Sequence, residues 1–97
     1  MIEKYLETNI KTSQSVADQI GHFFITEGII PEGLFILAHY KINKKPHLWG
    51  VLERVGSEPE DYIFHASVEN LGEKYKISFS ENLEPEIVDK IYKALAE

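Results

Sequence analysis

Three residues of this chain have types that could do chemistry together: His39, Glu53 and His65. Imidazole and carboxylate side chains bind divalent metals and exchange protons near neutral pH. If residues 34–80 form four antiparallel strands in a meander, the strands of His39 and His65 flank the one that carries Glu53 and Arg54. The two histidine strands then lie roughly 9 to 10 Å apart, at about 4.8 Å per strand step. That is too far for a direct bond and suited to convergence on something between them. Strict alternation places both histidines opposite the apolar face, where the plainer expectation is solvated polar side chains on the open side of the sheet. His22 and His47 belong to no ligand-spaced pair. The chain has no His-Glu-x-x-His, no Gly-x-Gly-x-x-Gly, no phosphate-binding loop and no Gly-x-Ser-x-Gly elbow. Without cysteine it has no disulfide, thiolate nucleophile or cysteine-based zinc site. These patterns assign no catalytic residue, metal or cofactor.

The elements that would position these groups are legible to different degrees. Ile2, Tyr5, Leu6 and Ile10 recur at spacings of three and four, which fits a short amphipathic helix. Ser15 and Asp18 resemble a capping box. Val16, Ile20, Phe23 and Phe24 follow at helical spacing up to Gly28, so a helix is predicted over residues 16–27. In LFILAHYKI, Leu34, Ile36, Ala38, Tyr40 and Ile42 are expected on the apolar face. An NKKP turn leads to HLWGVLERV, which lacks clean alternation, and GSEPED reverses the chain again. YIFHASVE alternates with Tyr62, Phe64, Ala66 and Val68 on one face and His65 on the other. KYKISFS does the same with Tyr75, Ile77 and Phe79. Pro85 marks the start of a last helix whose stripe is Ile87, Val88, Ile91, Tyr92 and Leu95, with Leu83 placed to staple onto Val88. The expected fold is α+β: one domain over residues 1–97, a four-stranded antiparallel meander with an N-terminal and a C-terminal helix packed on one face.

A different parse changes the function. Pro46 could open a helix carrying Leu48, Trp49, Leu52 and Val55, with Gly56 ending it. Residues 34–41 would be the preceding helix, and the strands over residues 62–69 and 74–80 would form a wing. SVADQIGHFFITEGIIPEG, residues 15–33, resembles the first helix and following Pro-x-Gly turn of GntR-type winged-helix repressors. That resemblance covers 19 of 97 residues and implies DNA binding through the basic segment 41–54, with Lys44, Lys45, His47 and Arg54 as contacts. Residues 39–54 carry a net charge of +3, and the rest of the chain −9. The Ser-rich cap, Leu-Ala pair and Gly-Val-Ser turn that should follow in that family are absent.

Charge points elsewhere. The net charge of −6 disfavours a general polyanion binder, because nucleic-acid affinity rests on cationic side chains. Acidic residues concentrate in two places: Glu58, Glu60 and Asp61 in one turn, and Glu81, Glu84, Glu86 and Asp89 near the last helix. Such residues solvate a small domain, and they also suit a basic partner. The expectation is a small acidic protein-binding module, in its most concrete form an inhibitor, immunity-like or antitoxin-like protein, that meets its partner through Glu58, Glu60, Asp61, Glu84, Glu86 and Trp49. The alternatives are the winged-helix DNA binder and a small metal-dependent or acid–base enzyme centred on His39, Glu53 and His65. A homodimer formed by pairing of edge strands is a further option. The longest apolar run, Leu34 to Ala38, is five residues, against about 20 for a membrane span. MIEKYLETNI lacks the pattern of a signal peptide, so a cytoplasmic location without membrane association is expected.

Overall fold

Helix α1 (Ser13–Thr26) begins where Thr12, in extended backbone, accepts the Ser15 N–H through Oγ1 at 3.1 Å. It ends where Gly28 takes φ +75°, a left-handed conformation that a β-carbon disfavours. The helix starts three residues before the predicted position, because Thr12 and not Ser15 is the cap. Asp18 faces His22 one turn further on, at 3.4 Å. Val16, Ala17, Ile20 and Phe24 are fully buried, and Phe23 is half-buried.

The structure is a computed structural model. It describes residues 1–96 apart from 43 and 44, with side chains described outside 40–47. Asn43 and Lys44 of the NKKP turn therefore lie outside the described residues, as do the side chains of Lys41, Lys45 and His47. Besides α1 the chain forms β1 (Ile2–Leu6), β2 (Phe35–Ile42), β3 (Lys45–Arg54), β4 (Tyr62–Asn70), β5 (Tyr75–Phe79) and helix α2 (Pro85–Ala96). The strands make one antiparallel sheet in the order β1-β5-β4-β3-β2. Four of them are the expected meander, and the fifth is β1. The helix expected from Ile2, Tyr5, Leu6 and Ile10 is thus corrected to a strand. A one-turn helix gains little in isolation, whereas β5 offers β1 a full ladder from Ile2 opposite Phe79 to Leu6 opposite Tyr75.

The winged-helix parse is corrected by the same ladders. Residues 35–42 and 45–54, which it requires as helices, pair with each other along their length. Among the described residues no helix is long and apolar enough to cross a membrane.

Helix α1 carries the chain from one edge strand, β1, to the other, β2, and packs on β2, β3 and β4; α2 packs on β1 and on α1. Both helices join one hydrophobic cluster with Leu6, Val51, Ala66, Val68, Ile77 and Phe79. Leu83 and Val88 belong to it too, as expected of a staple across the start of α2. The Tyr75 hydroxyl donates to the Ile10 carbonyl at 2.9 Å, and Lys90 reaches Glu27 at 2.6 Å to join the two helices.

Strand β2 presents the face opposite to the expected one. Phe35 and Leu37 pack against the core, and Ile36 and Ala38 lie on the other side, in register with Leu52 and Gly50. The run is apolar on both faces, so alternation could not choose between them. Packing chooses: Gly21 on α1 has no side chain, and the Phe35 ring occupies the space a β-carbon would need. Gly21→Ala should therefore destabilise the fold by about 1–2 kcal/mol net: overpacking costs about 1–3 kcal/mol, against a helix-propensity gain of up to about 1 kcal/mol. Phe35→Leu in the same chain should recover most of the loss in a denaturant-unfolding cycle.

Candidate functional site

The His39, Glu53 and His65 constellation is partly assembled, and on the helix side of the sheet. Glu53 pairs with Phe35 and Ile63 in neighbouring strands, all on the helix-covered side. Its Oε1 lies 2.9 Å from His65 Nε2, and the two side chains are 16% and 11% exposed. The His65 ring rests against Phe24 of α1, with centroids 5.6 Å apart.

The expected orientation of His65, away from the apolar face, is corrected by an irregularity in the ladder. Val51 pairs with Ala66 and Leu52 with Phe64, so His65 is an extra residue on β4. A bulge of this kind re-aims the side chain of the inserted residue. It also reverses the parity of the earlier half of the strand. Phe64 and Tyr62 share the outer side with Leu52 and Arg54, and Ile63 turns toward the helices.

His39 takes no part in this pair. It lies opposite Trp49, and the two rings stack at 4.5 Å with planes 19° apart. Trp49 is half-buried against the core and lies four residues from Glu53 along β3, roughly 13 Å at 3.3 Å per residue. Among the described residues no group of three His, Cys, Asp or Glu could hold a metal ion.

His65 also lines a cleft of about 260 Å³ between the start of α2, the end of β5 and the start of β4. Ile29, Ile63, Leu83 and Ile87 give it aliphatic walls; Ser80, Asn82 and Glu84 supply polar groups. Ile63 is 45% exposed, a large apolar side chain left open at the mouth. The Ser80 Oγ accepts the Asn82 N–H at 3.2 Å, and the Ser80 N–H donates to the His65 carbonyl at 2.8 Å. A carboxylate oxygen can only accept, so the bond to Glu53 holds a proton on Nε2. The pair can orient an imidazole and hold a proton at a defined atom.

The acidic residues divide by structural duty. Asp61 closes its own turn: its carboxylate accepts the Glu58 N–H at 3.2 Å, and its backbone N–H donates to the Glu58 carbonyl. Glu81 bonds the Met1 ammonium at 2.7 Å, which holds its carboxyl below the usual range, and Asp89 pairs with Lys4 at 3.3 Å. Among the described residues Glu58, Glu60, Glu84 and Glu86 enter no ion pair, and all four are exposed. Glu84 lines the cleft, and its carbonyl accepts the first N–H groups of α2. Glu58 and Glu60 sit in the turn that delivers Ile63 to the same cleft. Of these four glutamates, Glu84 is the one that lines the cleft.

Sequence reasoning gives Ile63 and Ile29 no role and Ile87 only a place in the apolar stripe of α2. Ile63 follows Tyr62 in a strand whose alternation, taken without a bulge, assigns it to the solvent side. A larger hollow of about 830 Å³ lies between the β1–α1 connection and the end of α2. Its lining includes Glu7 and Glu73 and no histidine, lysine or arginine. No protein-family model, curated protein or solved structure matches this chain.

Proposed function

We propose that this protein is a small acidic binding module that docks a basic protein partner over the cleft between the β3–β4 turn and the start of α2. An inhibitor, immunity-like or antitoxin-like role is the concrete form of this reading. The observation that carries it is the half-exposed Ile63 on an apolar cleft whose lining includes Glu84, with the exposed Glu58 and Glu60 shortly before Ile63 in the chain and the exposed Glu86 shortly after Glu84. Interfaces are built this way: a desolvated apolar centre supplies affinity, and a charged rim steers encounter and selects the partner.

The test is capture of a partner by the intact protein and titration of the purified pair. Reversing Glu58, Glu60, Glu84 and Glu86 to lysine should weaken binding at least about tenfold, equivalent to about 1.4 kcal/mol. Affinity of the parent chain should fall as salt rises. Ile63→Asp should weaken binding as much while leaving the salt dependence in place. Glu7→Lys with Glu73→Lys, at the remote hollow, should change little. Equal losses from the remote pair, or undiminished binding by the fourfold reversal, would reject the reading.

A further inference from the structure

We infer that the cleft takes the side chain of a lysine from that partner; this deepens the docking reading above and rests on it. The walls and the polar groups call for different parts of one ligand. Ile29, Ile63 and Ile87 are aliphatic and suit an unbranched methylene stem, which lysine buries while keeping its head in a polar setting. The polar groups of the lining include Glu84, Asn82 and His65. Glu53 holds His65 in place by its Nε2. The lining includes no lysine or arginine to repel a cation.

The same geometry selects lysine over arginine. A guanidinium is a planar fork that wants a carboxylate presented edge-on for two parallel bonds. Glu53 is engaged by His65, and Glu84 is the one carboxylate in the lining. A single carboxylate with an amide beside it in the chain suits the compact, rotatable ammonium of lysine. The bulge completes the arrangement: without the extra residue, alternation would direct His65 to the other face of the sheet, away from the cleft.

The probe is Nα-acetyl-lysine N-methylamide, titrated into the full chain and followed by the isoleucine methyl and histidine ring resonances. Saturable shifts at Ile63, Ile87 and His65 are expected, with a dissociation constant on the order of 1 mM for so small a ligand. The norleucine analogue, which keeps the stem without the ammonium, should bind at least about tenfold more weakly, and the arginine analogue should also be weaker. Glu84→Gln, an exposed substitution that leaves the core untouched, should weaken the lysine probe severalfold, and Glu7→Gln should leave it unchanged. Absence of saturable shifts, equal binding of norleucine, or shifts centred on the Glu7 and Glu73 hollow would overturn the assignment. If a basic partner binds in an Ile63-dependent way and the lysine probe does not, the anchor is wrong and the docking reading stands. If the probe binds and the fourfold reversal leaves partner binding intact, the docking reading is wrong.

Discussion

Phe24→Ala is expected to remove about 3–5 kcal/mol of stability, the usual cost of emptying a buried phenylalanine site. A domain of this size holds about 5–15 kcal/mol in total, so the variant should lie close to unfolding at room temperature. At about 4–8 °C per kcal/mol for domains of this length, its thermal midpoint should fall by about 12–40 °C. Phe24 is fully buried at the centre of the cluster that α1 shares with the sheet. Its backbone carbonyl also accepts the N–H groups of Ile29 and Ile30, which brings the chain back under the helix end. Phe23, adjacent in sequence and half-buried, should cost much less when truncated. Two denaturant-unfolding curves decide the matter: equal losses at the two positions would mean that α1 presents a different face to the sheet.

The Phe24 variant has a local signature as well. Its ring supports His65 from the side opposite solvent. Removing it should loosen the imidazole, broaden the His65 ring resonances and weaken ligands in the cleft even under conditions where the chain stays folded. The cleft is therefore an extension of the core: α1 holds the histidine, β3 orients it through Glu53, and β4 delivers it through the bulge.

How much of this was legible in the sequence depended on whether a residue's surroundings are local. Helix α2 was read from Pro85, the Leu83 and Val88 staple and an apolar stripe, all within a few turns of chain. Strand β5 was read from an alternation that nothing interrupts. The β1 segment was ambiguous because Lys4, a charged residue, occupies a core-facing register opposite Ile77 and reaches Asp89 at the edge. The pattern of Ile2, Lys4 and Leu6 thus hides its period of two. In β2 both faces are apolar, so the choice rests on Gly21, a residue on a different element. At the site, Glu53 and His65 are chemically able by residue type, and their meeting is hidden by one inserted residue that no local pattern announces.

That inserted residue permits a sharp test. Deleting His65 removes the bulge and leaves Ala66 opposite Val51 and Phe64 opposite Leu52, the pairing already present. Every other residue of β4 keeps its face, so the shortened chain should fold. Its loss should be about 1–3 kcal/mol, from the bond that the Ser80 N–H donates to the His65 carbonyl and from the packing on Phe24. Deleting Ser78 should behave differently, because β5 pairs without irregularity on both sides. There a missing residue forces either Phe79, or Tyr75 and Ile77, off the core face, and in the second case turns Lys76 inward. Each large side chain lost from the core costs about 1.5–3 kcal/mol, and an unpaired inward lysine adds to that. This deletion should abolish cooperative unfolding. Circular dichroism and urea titration of the two deletions compare the outcomes directly. If the His65 deletion also fails to fold, His65 is part of the regular ladder and the cleft does not owe its imidazole to a bulge; if it folds and no longer binds the lysine probe, fold and recognition separate at a single residue.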